Sequence, residues 1–218
     1  MDEQTPAGHS IHAVNIFNKY AKQYHEKFRD VSLYHEALDL FCNNLGNSRA
    51  QVLELACGPG NITKYLLAQK PDLNILGTDL APNMLEIAAL INPKAHFELM
   101  DCRDLLKLEK KFDGIVCGFC MPYLSRTEAT QLIHDAALAL ENNGVLYIST
   151  MEDDYSSSGL RRGSGGEEMY LHYHEADYLE KAITENKMQV ISLERKTYKE
   201  PDGNTTTDLL IVAKKKLK

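Results

Sequence analysis

The sequence predicts an α/β fold: a doubly wound, mostly parallel sheet with helices on both faces. Three observations carry that expectation. From Gln51 onward, short apolar runs alternate with stretches of helical periodicity. Runs such as Val52-Leu53-x-Leu55 and Ile115-Val116-Cys117 lack polar alternation, so they suit strands buried on both faces. The first run leads directly into Gly58-Pro59-Gly60, followed by Ile62, Tyr65, Leu66 and Leu67 at helical spacing. Strand, glycine turn and helix in that order bring bare backbone N–H groups close to a ligand.

Residues 1–10 are polar, as in a frayed terminus. Ile16, Phe17, Tyr20, Ala21, Tyr24 and Phe28 then recur every three or four positions, predicting one amphipathic helix. Leu33, Ala37, Leu38, Phe41 and Leu45 predict a second, closed by Gly46. Within the sheet, helix 59–69 stops before Pro71, and helix 82–91 opens on Pro82, a good first-turn residue. Strand three is expected at 95–100 and strand four at 112–118. Ser125 caps a helix through Leu140, and strand five runs from Val145 to Thr150. Residues 152–166 are glycine- and serine-rich with mixed charge, which cannot build a core and predicts a long loop. A helix from Glu175 to Asn186 and two strands, 187–197 and 206–213, complete the chain. Asp202-Gly203 marks the hairpin turn between those strands.

The first turn also points to chemistry. A dinucleotide fingerprint would place glycine or alanine where Thr63 stands, so a nicotinamide dehydrogenase is a weak alternative. An acid, Glu54, lies inside the first strand, and Asp79 ends the second. An acid at that second position is placed to accept two hydrogen bonds from a ribose diol. The residues indicate a nucleoside-containing cofactor.

Four segments resemble, in order, the class I S-adenosylmethionine-dependent methyltransferases. They are Val52–Gly60, Gly77–Leu85, Asp101–Leu105 and Asn143–Ile148. Ala56 departs from the pattern, since many members carry glycine there. The resemblance implies a Rossmann-like sheet of seven strands with the last antiparallel, and S-adenosyl-L-methionine as cofactor. It implies cofactor roles for Glu54, Ala56, Gly58, Gly60, Asp79, Leu80, Met84, Asp101, Cys102 and Cys117. Among these, Asp101 would take the exocyclic amine of adenine, and Cys102 would offer its backbone N–H to the ring. The alternative for Asp101 is an Asx-turn or helix-cap residue, and the resemblance favours the adenine role. The segment 17–24 resembles the family's N-terminal lid helix, so Tyr20 and Tyr24 are expected either at the cofactor's methionine end or in plain packing.

Catalytic candidates are Tyr123, His172 and His174, set against packing for the tyrosine and a surface or capping role for the histidines. Neither an Asn/Asp-Pro-Pro-aromatic signature nor the acidic set of metal-dependent catechol methylators stands after strand four. Cys117-x-x-Cys120 lacks a second pair, which favours buried thiols over a zinc site, and no metal is expected. The five cysteines are not spaced as a disulfide framework, and with no signal peptide or membrane span they suggest a cytoplasmic protein.

The chain of 218 residues reads as one domain. Its parts are an N-terminal helical cap (11–46), a cofactor-binding core (50–150), an acceptor-side lid (152–174) and a C-terminal helix and hairpin (175–213). A net charge of −7 disfavours a nucleic-acid surface and favours a small-molecule acceptor, in a monomer or homodimer. Alternatives are a tRNA or other macromolecular acceptor, or a non-catalytic S-adenosylmethionine-binding protein.

Overall fold

The computed structural model describes residues 6–162, 166–199 and 203–216, and the backbone alone for 6–9. Three helices precede the sheet: α1 (Pro6–Lys19), α2 (Ala21–Phe28) and α3 (His35–Asn44). The alternation then runs β1 (Gln51–Leu55), α4 (Asn61–Gln69), β2 (Asn74–Asp79), α5 (Pro82–Ile91), β3 (His96–Leu99) and β4 (Phe112–Gly118). After these come α6 (Arg126–Ala139), β5 (Leu140–Met151), β6 (Gly159–Arg162), β7 (Glu168–Leu171), α7 (Ala176–Glu185), β8 (Met188–Lys199) and β9 (Thr205–Lys215).

The main sheet has seven strands in the order β3-β2-β1-β4-β5-β9-β8. The neighbours from β3 to β5 are parallel, and β9 runs antiparallel to both β5 and β8. This is the expected architecture. The strand order reverses between β1 and β4, and such a switch point opens a crevice at the carboxyl ends of the strands.

Period-two alternation divides the apolar strand residues between two layers. Leu53, Leu55, Ile115, Cys117, Leu146 and Ile148 pack with Leu132 and Ile133 of α6 and Leu179 and Ile183 of α7. Val52, Val116 and Tyr147 face the other way, onto Leu38 and Phe41 of α3 and Leu66 of α4. The α3 helix lies so close to β4 that a Cβ on Gly114 would meet Phe41 Cζ at 2.6 Å and Leu45 Cδ2 at 2.8 Å. At the start of α6, Ser125 and Glu128 form a reciprocal capping box.

The structure differs from the sequence expectations in three places. The N-terminal helix is broken at Tyr20 (φ −108°, ψ 23°), which separates α1 from α2. Strand five begins at Leu140, where the long helix has already ended. The expected loop at 152–174 contains a 3₁₀ turn and the antiparallel β6–β7 hairpin. Residues 163–165 lie outside the described residues, while Tyr155, Tyr170, His172 and His174 pack on one another at the base of the hairpin. Of the Asp202-Gly203 turn, Asp202 lies outside the described residues, and Gly203 adopts φ +87°.

Gly114→Ala forces either Phe41 or the strand to move. It is expected to cost about 1–3 kcal/mol, lowering the calorimetric midpoint by roughly 3–10 °C. An unchanged midpoint would show that α3 is not seated against β4 at this point.

Candidate functional site

The turn between β1 and α4 is built from three left-handed residues, Ala56 (φ +49°), Gly58 (φ +54°) and Gly60 (φ +74°). Alanine adopts that region at a cost of about 1–2 kcal/mol, a cost glycine would not carry. At Gly60 a Cβ would also meet Asn92 Nδ2 at 2.5 Å, because Asn92 closes over the turn by donating to the Gly60 carbonyl (2.9 Å). The added Cβ at Gly58 meets nothing nearer than Tyr24 at 3.9 Å, so this residue leaves space above the turn.

Asp79 stands where β2 ends beside that turn. Its Oδ2 accepts from Gly58 N (2.8 Å) and its Oδ1 from Ala81 N (2.8 Å). Desolvation raises its pKa despite these backbone hydrogen bonds. A cleft opens here, lined by Ala56, Gly58, Asp79, Leu80, Met84, Asp101, Cys102 and Tyr123 among the predicted residues. Tyr24 lines it too, and desolvation pushes its phenol up to about 12. The largely apolar lining with a few polar groups is that of a small-molecule site.

Other predicted residues lie elsewhere. Glu54 is buried beneath the turn, where its Oε2 accepts from the Thr63 hydroxyl. Gly60 faces α5 rather than the cleft. Cys117 is buried in β4 with its sulfur 2.7 Å from that of Cys120, and it is Cys120 that reaches the cleft. Tyr20 points away from Asp79 and donates to Glu167 Oε1 (3.0 Å), which also pairs with Lys19 (2.8 Å). His174 is fully buried: Nε2 donates to the Met121 carbonyl (2.8 Å) and Nδ1 accepts from the Tyr178 hydroxyl. Burial lowers its pKa to about 4. His172 stacks on Tyr155, and its backbone N–H donates to the Pro122 carbonyl (2.8 Å). Neither histidine lines the cleft.

Asp101 is more constrained than the sequence suggested. Its carboxylate accepts from the Arg103 backbone N–H (2.9 Å), from Nε (2.9 and 3.1 Å) and from Nη2 (2.6 Å). Burial alone would raise its pKa, yet these Arg103 bonds hold it below the ordinary range. The same guanidinium reaches Glu128 Oε1 (2.8 Å), tying the end of β3 to the cap of α6. Sequence reasoning passed over Arg103, Phe17 and Phe119, all of which line the cleft. Phe17 carried a signal, since it belongs to the segment singled out for Tyr20 and Tyr24. Phe119 carried none, because its left-handed backbone (φ +55°) is invisible in sequence.

A second chamber adjoins the first, between α1, α2 and β7. Phe17, Tyr24 and Tyr123 line both. Phe17 meets Tyr24 (5.4 Å, 88°) and Tyr123 (5.0 Å, 84°) edge to face, so the three rings form a partition. Contacts between α1 and the 152–174 segment close the outer side. His12 Nε2 bonds the Glu168 carbonyl (3.0 Å), and Ser10 Oγ donates to the Tyr123 carbonyl (3.2 Å).

A glycine turn, an acid ending the second strand and a cleft at the switch point together define a Rossmann-like nucleoside-binding domain. A methyltransferase domain family model matches residues 52–144. Malonyl-[acyl-carrier protein] O-methyltransferase of Priestia megaterium is 28% identical over 138 residues, covering 62% of this chain and 49% of that protein. Trans-aconitate 2-methyltransferase of Variovorax paradoxus is 35% identical over 99 residues, covering 45% of this chain and 38% of that protein. The chain therefore spans about half the length of these relatives or less. Among solved structures, the Burkholderia thailandensis 1,6-didemethyltoxoflavin-N1-methyltransferase, with bound 1,6-didemethyltoxoflavin and S-adenosylhomocysteine, superposes with a TM-score of 0.72. It is 19% identical, with coverage of 98% of this chain and 91% of that one, a likeness of fold. Residues 52–144 thus match a methyltransferase domain, and the fold is that of the class I S-adenosylmethionine-dependent methyltransferases.

Burial pushes the Glu54 carboxyl up to about 8 from an ordinary 4.5, so the folded chain binds this proton more tightly than the unfolded chain. The associated stability is complete below about 4.5 and is lost as pH rises through about 8. Glu54→Gln, which keeps a partner for Thr63, is expected to remove this loss. Urea midpoints measured from pH 5 to 8 should fall for the parent and stay level for the variant.

Proposed function

We propose that this chain transfers a methyl group from S-adenosylmethionine to a small-molecule acceptor. The observation that carries this reading is Asp79, a desolvated carboxylate held by two backbone N–H groups at the floor of the cleft. Its orientation is set by the fold, and its oxygens keep lone pairs for a diol. The cleft also fits the cofactor in its open space above Gly58 and in its aromatic wall at Tyr24. S-adenosylmethionine, when bound, supplies a methyl group already activated on a sulfonium. Asp79 holds the ribose, and Ala56, Gly58 and Leu80 leave room for it. Asp101 shares itself between Arg103 and the adenine amine, with the Cys102 N–H facing the ring and Met84 beside it. Tyr24 meets the cationic end with its ring face. The contribution of the protein is alignment and exclusion of water.

The names of relatives support a small acceptor: one is a trans-aconitate methyltransferase, and the fold neighbour holds a toxoflavin precursor. A net charge of −7 also favours a small acceptor over a nucleic acid. His174 acts as a bolt between the hairpin base and the turn after β4, and we assign no proton transfer to it. His172 orders the same base through Tyr155. Tyr123 is the member of the predicted catalytic set that reaches the reacting space.

Two charge-assisted hydrogen bonds to a diol are worth roughly 2–4 kcal/mol in all. Asp79→Ala should therefore weaken S-adenosylhomocysteine binding by roughly 30- to 1,000-fold in calorimetry. A change below threefold with the fold intact would remove the assignment.

Residues 152–174 and α1 serve as a cover that tightens when ligand binds. Saturating S-adenosylhomocysteine is expected to slow amide exchange in both segments. Unchanged exchange in both would mean that neither is coupled to the ligand.

A further inference from the structure

We propose that the second chamber receives the methyl acceptor as a planar, largely apolar anion whose ionised oxygen is itself the nucleophile. The inference rests on the cofactor assignment above and adds the chemical class of the acceptor.

Two independent lines lead to it. The first is charge. The chamber is walled by Ile16, Phe28, Met169 and the three partition rings, surfaces that suit a flat apolar molecule. Its charged lining groups are Glu167 and Lys27. Glu167 is already matched by Lys19, which bonds the same oxygen that accepts from Tyr20. Lys27 sits at the exposed rim with its Nζ 4.9 Å from the Phe28 ring centroid, and no described carboxylate pairs with it. The charge left uncompensated at the mouth is therefore positive, on a chain whose net charge is −7. An acidic acceptor is drawn toward this uncompensated cation.

The second line is proton transfer. A neutral O–H or protonated amine must lose a proton at or before methyl transfer, which calls for a base in reach. Among the described residues lining the two chambers there is none free to serve. Asp79 and Asp101 are engaged by backbone N–H groups and by Arg103, and Glu167 is held below the ordinary range by its bonds from Lys19 and Tyr20. Desolvation keeps the phenols of Tyr24 and Tyr123 protonated. An acceptor that arrives as a carboxylate or acidic phenolate needs no base. Its oxygen lone pair forms the O–C bond to the methyl carbon while the C–S bond breaks. The bonding pair passes to sulfur, and the sulfonium and the anion are both neutralised. The partition of Phe17, Tyr24 and Tyr123 is where this exchange occurs.

The test uses the full chain saturated with S-adenosylhomocysteine and two matched dyes. These are 8-anilinonaphthalene-1-sulfonate, a planar anion, and N-phenyl-1-naphthylamine, its uncharged counterpart. Both dyes are expected to bind at one saturable site. Met169→Trp, which fills the second chamber, should weaken both by about tenfold or more, while Lys27→Glu weakens the anion by about fivefold or more and the neutral dye by less than about twofold. In the parent chain, 2-naphthoate should displace the anionic dye at several-fold lower concentration than 2-naphthamide. Dyes that bind the free chain but not the chain saturated with S-adenosylhomocysteine would lie in the first cleft and overturn the proposal. So would equal effects of Lys27→Glu on the two dyes, or no preference for naphthoate. Failure of S-adenosylhomocysteine to bind at all is a separate result, which overturns the cofactor assignment instead.

Discussion

The hydrogen bond from Gly58 N to Asp79 Oδ2 (2.8 Å) is the contact on which the rest of the site depends. It joins the turn after β1 to the end of β2, and it exists only because that turn accepts three left-handed residues in five positions. With its direction set by this bond and by Ala81 N, the carboxylate cannot rotate away to find water. Desolvation then makes the charge costly to hold and correspondingly valuable to a ligand that can share it. Asn92 secures the turn from behind by bonding the Gly60 carbonyl, which extends the constraint to the end of α5. One exposed-looking glycine motif is thus fastened to two strands and two helices.

Much of this was legible in the sequence, and the reason is physical. Buried parallel strands and amphipathic helices impose different periods on apolar residues, and α4, α5 and β4 fall where those periods and the flanking prolines place them. Glycines before a helix and an acid after a strand mark a ligand turn because few other arrangements use them together. What stayed hidden depends on tertiary contact. The β6–β7 hairpin has weak local preference and is held by aromatic stacking between residues some 15 positions apart, such as Tyr155 and His172. The break at Tyr20 lets both helices pack on α5 while α1 also reaches β7 and α2 faces Asn61 through His25. Nothing in the spacing of Asp101 and Arg103 reveals that they form a multidentate pair.

The histidines show how a residue type can mislead. Two histidines near an expected pocket read as proton carriers because their ordinary pKa lies near neutrality. His174 instead has both ring nitrogens committed, to Met121 and Tyr178, in a fully buried position. A ring fixed as donor on one side and acceptor on the other is neutral and directional. Those properties suit it to positioning Met121, Pro122 and Tyr123 after β4, since Met121 begins the 3₁₀ turn that carries Tyr123 into the cleft.

Phe119 completes the argument about where the fold stores strain. A bulky residue at φ +55° is uncommon, and it persists here because its surroundings over-determine it. Its N–H donates to both the carbonyl (3.0 Å) and the hydroxyl (3.2 Å) of Ser149 in β5. Its ring packs on Tyr34 at 5.2 Å, and the Tyr34 hydroxyl donates to buried Asp208 in β9 (2.8 Å). The strained residue is therefore braced by the two strands beyond β4 and by the segment leading into α3. Relaxing it would swing the chain after β4, and with it Cys120 and Tyr123, away from the cleft. The left-handed turn after β1 and the left-handed residue after β4 flank the switch point, and each is held in place by the neighbouring strand. Between them they keep a wide, apolar opening at the carboxyl ends of the sheet, which packing alone would otherwise close.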